Sequence, residues 1–389
     1  MKKTRFLFLI FLAVLTSCST KESAENTEAT TIDFSYEIDT VQVDPGDDHF
    51  IYLSNYMNTA TLSSDKKLLY NFNPKVPELE VIDLDELTIK EVIKLEKEGP
   101  YGINAANSYM AMMDISDNGD LYLNNWNYMI KLNEARDQVS KYWFTADSLK
   151  GDPMTQLEKI YPEGQISKDG KFFYSTYGIQ DNKSPKSGLA IVNLNTMELK
   201  KVPIDLFEKI DKFSIVFSPE GNSKMEISET VFFNLFQDKI LISSTTYNEV
   251  FTLDLADETV AQKSFHSELT NDEKEGNYQK RANSREELDE HVREKAKEVT
   301  FGKLHFDDQN EKFWRFSISL DRMIGDSATY QSVLTIFDKE LTQIHEQRVS
   351  YLMNVPSFLT FFKDGSLYSY INLEDELGFV RIKPTYEKN

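Results

Sequence analysis

Six short segments of this 389-residue chain share one pattern: TLSSDKKLLYNF, DISDNGDLYLNN, QISKDGKFFYST, NLFQDKILISST, FDDQNEKFWRFS and FFKDGSLYSYIN. Each sets a polar turn containing Asp, Asn or Gly before an apolar-aromatic strand. Asp and Asn suit such turns because their side chains bond the backbone two residues on, while Gly accepts a positive φ. The turns centre on Asp65, Asn118, Asp169, Asp238, Asn310 and Asp364, at intervals of 53, 51, 69, 72 and 54 residues. Intervals that long are the period of a repeated unit, not of a single hairpin.

A second strand follows each turn unit: LEVIDLD, YMIKLN, LAIVNLN, EVFTLDL, SVLTIFD and GFVRIKP. A weaker strand comes after it in EVIKLE, KYWF, KKVPI, QKSF and EQRVSYL, and another precedes the turns, as in YMAMMDI, TVFFNLF and SFLTFF. Each unit reads as four antiparallel strands joined by hairpins. An aromatic content of 12%, with 26 Phe and 19 Tyr, favours strands in the same way.

Six four-stranded units in series predict an all-β chain folded as a β-propeller. Six blades match the six turns. Seven stay open, because the long intervals after Asp169 and Asp238 leave room for a degenerate blade. The ring has to close, since open sheet edges invite pairing with other chains. The sixth unit ends at RIKPTYEKN without an outer strand, and DFSYEIDTVQV, residues 33–43, is an orphan strand at the other end. The orphan is expected to complete the last blade, making residues 33–389 one domain.

One interruption breaks the pattern. Residues 267–303 are too charged for strand, and SREELDEHVREKAKEV predicts a short helical insertion over residues 284–299. Ser284 with Glu287 matches a capping box. Leu288, Val292, Ala296 and Val299 form a narrow apolar stripe, and Asp289 with Arg293 is a candidate i,i+4 pair. Such a helix could cover the ring's face, dock a partner, or stand as a solvated decoration.

The repeats, with turns such as SKDGK and EGPYG, resemble Bacteroidota lipoproteins known only as a domain of unknown function. More loosely they are similar to TolB-like six-bladed propellers. The resemblance covers nearly the whole chain after its leader and implies the propeller fold. It brings no catalytic residues to any position.

The N-terminus gives an address. Lys2, Lys3 and Arg5 precede ten apolar residues, Phe6 to Leu15, far short of the roughly 20 needed to span a bilayer. The run has the proportions of a signal-peptide core. Leu15-Thr16-Ser17-Cys18 looks like a bacterial lipobox around the chain's one cysteine. Residues 1–17 are then a lipoprotein signal peptide and Cys18 the lipidation site, without a redox role. Acyl chains contribute about 0.8 kcal/mol per buried methylene, so two or more give lasting attachment. Ser19 after the cysteine, where an aspartate would favour retention at the inner membrane, points to the outer membrane, with the leaflet open. The stretch to residue 32 has no large apolar residue before Ile32 and is expected to be a flexible tether, about 20 Å across.

Charge and motifs narrow the function classes. A formal charge of −21 repels nucleic acid, so no nucleic-acid partner is expected. The stretch Asp114–Asp120 begins like a calcium loop, yet Asn125 stands where a bidentate Glu is needed, and the stretch is one of six equivalent turns. The five histidines fall in no zinc-ligand spacing, and neither a G-x-S-x-G elbow nor a phosphate-cradling glycine loop is present. No metal and no cofactor are expected.

Function is sought in the loops. In propellers the loops between second and third strands, and those between blades, share one face. Here they carry Tyr101, Trp126, Tyr128, Tyr177 and Tyr247, with Asp321 and Arg322 nearby. Aromatic rings beside amides suit a sugar or peptide. The expectation is a lipid-anchored binding module for a glycan, peptide or envelope protein. A carbohydrate-active hydrolase or lyase in the propeller mouth, or an accessory subunit of an outer-membrane complex, are the alternatives.

Overall fold

The computed structural model describes residues 32–387, except 54–55, 100–101, 104–109, 127, 181–184, 220–224 and 350–358. The leader, Cys18 and the tether up to residue 31 lie outside the described residues, as does Tyr101. Among the described residues the chain is all-β, with two short helices and seven sheets.

Six of the sheets follow the repeat. The first joins Thr61–Leu62, Leu68–Asn73, Glu78–Asp83 and Thr88–Lys94, each strand antiparallel to the next. The second runs from Met112–Ile115 to Val139–Tyr142 in the same order, and the fourth from Val231–Phe236 to Val260–Ser264. The third spans Glu158–Ile166 to Glu198–Pro203 and gains Lys150–Gly151 in parallel on its outer edge. In the fifth, the first strand is split into Thr300–Phe301 and His305–Asp307, both paired with the long strand Lys312–Ile324. The sixth begins at Thr360–Lys363 and Ser366–Leu373 and reaches Glu376–Glu387. Asp33–Gln42 then pairs with Glu376–Glu387 over ten residues, from Asp33 opposite Glu387 to Gln42 opposite Gly378. The orphan strand thus supplies the missing outer strand, and Asp39 faces Arg381 in a forked ion pair.

The turns are equivalent in geometry as well as in sequence. Each hairpin between first and second strands holds a residue at positive φ: Lys66, Gly119, Gly170, Gln237, Glu311 and Asp364. In three of them the same bond from a serine hydroxyl to a side-chain Oδ1 recurs at 2.6 Å, from Ser63, Ser116 and Ser167 to Asp65, Asn118 and Asp169. At Gly170 a Cβ would stand 2.6 Å from the Tyr122 hydroxyl, which donates to the Gly170 carbonyl, so this turn is pressed against the neighbouring sheet.

In each of the six sheets of the repeat both faces join an apolar cluster, because successive residues of a strand serve different neighbours. Phe173 packs toward the second sheet and Tyr174 toward the fourth. Phe313 joins the fourth sheet and Trp314 the sixth. Leu367 meets the fifth and Tyr368 the first. Six apolar clusters link first to second, second to third, and so on, and the sixth sheet packs on the first. The packing forms a closed cycle. First strands touch one another at its centre, as Thr61–Leu62 does with Met112–Ile115 and His305–Asp307 with Thr360–Lys363.

The two long intervals are filled by insertions that find each other. The first holds α1 (Leu206–Asp211) and strands Ile215–Phe217 and Met225–Ile227. The second holds Arg281–Ala282 and α2 (Arg285–Lys297). Val216 and Phe217 pair in parallel with Arg281 and Ala282, giving a three-stranded sheet capped by Leu288 of α2. Ser284 caps α2 by accepting from the Glu287 N–H, and Glu287 reaches back to the Asn283 N–H. Two details differ from expectation. Asp289 pairs with Arg285, one turn before it, and not with Arg293. Ala296 is exposed, because the apolar stripe is narrower than its spacing implied.

Candidate functional site

A cavity of about 550 Å³ opens where the second-to-third-strand loops of two sheets meet the first insertion. Its size is in the range of small-molecule sites, about 300–1,000 Å³. One wall carries Trp126, Tyr161, Pro185 and Lys186; the other carries Asp211, Glu226 and Glu229. Trp126 is 52% exposed.

The first wall is cationic and aromatic. Tyr161 has two ammonium groups on its ring, Lys159 at 4.5 Å and Lys186 at 4.4 Å, and Lys159 also reaches Trp126 at 5.3 Å. Neither lysine makes an ion pair among the described residues. Burial pushes the Lys186 pKa below its ordinary value; Glu163 opposes the shift and Lys159 adds to it. Burial lowers Lys159 likewise. On the facing wall, burial and then the neighbouring Glu226 raise the Asp211 carboxyl. Glu226 accepts a hydrogen bond from Ser228 at 3.1 Å.

Glu229 is different: it is 3% exposed and belongs to a structural network. Lys295 of α2 meets it at 2.8 Å and Lys274 at 4.0 Å, and Lys274 donates to Thr300 at 2.9 Å. That network bolts the second insertion to the start of the fourth sheet, so this wall is rigid.

A second polar group lies at the centre of the cycle, where first strands meet. Asp114 accepts from Thr61 at 3.3 Å, from the Ile115 N–H at 2.9 Å and from the Ile166 N–H at 2.9 Å. One carboxylate thereby ties three sheets together. Burial raises its pKa despite those bonds. Lys303 sits in the break of the split strand, its pKa lowered by burial and partly restored by Asp114. His305, 8% exposed, is held at a pKa of about 3 by burial and then by Lys303, and it hydrogen-bonds the Thr360 backbone.

The residues expected from sequence separate. Trp126 lines the cavity. Tyr128 packs on Trp143 at 4.8 Å, and Tyr177, 7% exposed, falls on the face of its strand that packs against the second sheet. Tyr247 stands edge-on to Phe213 at 5.9 Å. Asp321 and Arg322 are exposed on the long hairpin of the fifth sheet, 3.7 Å from one another and away from the cavity. Lys159, Tyr161, Lys186, Asp211 and Glu226 were missed. Lys186 lies in a loop already singled out for its position, whereas Asp211 and Glu226 belong to an insertion visible only as excess spacing.

A groove of about 490 Å³ between α2 and the fifth sheet is lined by five glutamates, among them Glu268, Glu273, Glu294 and Glu298, together with neutral polar and aliphatic side chains and Lys297, with no aromatic face. Among the described residues no group of three or more His, Cys, Asp or Glu is arranged to hold a metal ion. No helix among them is long and apolar enough to cross a membrane.

Comparison with known proteins bears on the fold. A crystal structure of a DUF4221 member from Bacteroides vulgatus is 14% identical, with a TM-score of 0.63 over 93% of this chain and 100% of that one. A Bacteroides fragilis protein described as exported is 7% identical, with a TM-score of 0.47 over 93% of this chain and 97% of its own. The extracellular domain of a one-component system from B. thetaiotaomicron is 12% identical, with a TM-score of 0.44 over 89% of this chain and 36% of its own. No curated protein matches the sequence. The model of a domain of unknown function, DUF4221, matches residues 31–348, most of the sequence, and the chain belongs to that family.

Proposed function

We propose that the protein is a lipid-anchored, six-bladed β-propeller of the cell envelope that binds a ligand at one face of its ring. The cyclic packing of six sheets and the shared last sheet support the propeller. The lipobox-like Leu15–Cys18 supports the anchor and, with Ser19, the outer membrane. The observation that carries binding is the cavity itself, where a half-exposed Trp126 stands with Lys186, Asp211 and Glu226, none of which makes an ion pair among the described residues.

Thermal unfolding of the purified protein against oligosaccharides and peptides tests this. A ligand at 100 times its dissociation constant stabilises the fold by about 2.7 kcal/mol. The expected result is a shift with one ligand class that disappears in Trp126→Ala. No shift with any of them overturns the small-ligand reading, and stable co-purification with one envelope protein would then favour an accessory subunit.

A second reading has one observation behind it. Asp211 has a raised carboxyl pKa beside Glu226 in the same cavity, the kind of asymmetry a general acid needs. A carbohydrate-active enzyme would release reducing ends from a bound glycan and lose that activity in Asp211→Asn with binding retained.

A further inference from the structure

We propose that the cavity at Trp126 takes an acidic saccharide, its anionic group held at Lys186 and Lys159 and its hydroxyls at Asp211 and Glu226. This rests on the reading of the cavity as a binding site and names the class of ligand.

The lysines argue for the anion. This chain carries 64 acidic residues against 43 basic ones, and several of its other shielded lysines pair with carboxylates. Lys131 meets Asp120 at 2.5 Å, Lys201 meets Glu158 at 2.8 Å, and Lys363 meets Asp85 at 2.5 Å. Lys159 and Lys186 instead share the ring of Tyr161, which attracts both charges and neutralises neither. Each is partly desolvated, Lys159 weakens the charged state of Lys186, and Glu163 only partly offsets these effects. An anion beside them relieves both costs at once.

The rest of the cavity argues for a sugar. Trp126, 52% exposed, offers aromatic surface of the kind a pyranose ring covers. Asp211 and Glu226 make no ion pair among the described residues, and carboxylates accept hydrogen bonds from hydroxyl groups. The ligand therefore needs an anionic end, an apolar face and several hydroxyls. An acidic peptide would bring the charge without the hydroxyls.

Calorimetric titration of the purified protein with tri-galacturonate, galactotriose and a tri-glutamate peptide decides the matter. The expected result is binding of tri-galacturonate that weakens about tenfold or more in Lys186→Met, and weakens again as salt rises. Thermal unfolding of the variant, unchanged from the parent, shows that the fold is intact. Galactotriose binding as tightly as tri-galacturonate would overturn the acidic part and leave the cavity reading standing. Binding of the peptide alone would overturn the saccharide. Binding of none of the three would overturn the inference, and loss of every thermal shift in the wider panel would remove the cavity reading as well.

Discussion

The centre of the cycle and the cavity at its face both hold a partly desolvated lysine, yet the two places are built differently. Lys303 lies within reach of Asp114, whose oxygens are committed to Thr61, Ile115 and Ile166 from three sheets. Lys186 has an aromatic ring and a second lysine for company. At the centre, polar groups answer one another and hold sheets in place. At the face Lys159 and Lys186 make no ion pair among the described residues and feel Glu163 only through space, while Glu229, Lys274 and Lys295 anchor the other wall. The contrast separates charge that serves folding from charge held ready for something else.

The largest effect expected is at the centre. Asp114→Ala strands two backbone N–H groups, the Thr61 hydroxyl and the Lys303 ammonium in the interior, and should cost about 3–5 kcal/mol in denaturant unfolding. Next comes acid. His305 titrates at about 3 in the fold against 6.5 when exposed, so the unfolded chain takes up its proton first. Its contribution is fully present above pH 6.5 and is lost as pH falls toward 3, on the order of 4 kcal/mol at about 1.4 kcal/mol per unit. His305→Gln should flatten that part of a stability–pH curve; an unchanged slope would refute the assignment.

Smaller effects lie at the periphery. Ser284→Ala removes the cap of α2 and should cost about 1 kcal/mol, seen as faster hydrogen exchange in that helix with the sheets unaffected. Lys186→Met should change stability by less than about 0.5 kcal/mol, because no ion pair among the described residues is lost. If that substitution instead destabilises the protein as Asp114→Ala does, the contrast between centre and face collapses.

Much of the fold is legible in the sequence because its signals are local. Asp65, Asn118 and Asp169 each make their turn with a serine two residues before them, so the repeat can be read without knowing what packs on it. The closing strand is legible because DFSYEIDTVQV has nowhere else to pair. The insertions are not, since Val216 meets Arg281 through a two-residue parallel bridge between distant segments. The cavity is harder still. Nothing in the strand containing Tyr177 tells which neighbour its ring will face, and Lys159, Lys186 and Asp211 come together only after three separate elements have packed.

The shared last sheet also has a consequence in time. Asp33–Gln42 is the first described strand to emerge during synthesis, and its partner Glu376–Glu387 is the last. It must wait, unpaired, while the intervening strands are made. A strand in that state is a template for foreign chains. Its three acidic residues, Asp33, Glu37 and Asp39, with the neighbouring Asp44, keep it soluble through the delay. The same strand that locks the finished molecule is thus the one most in need of protection while the molecule is unfinished.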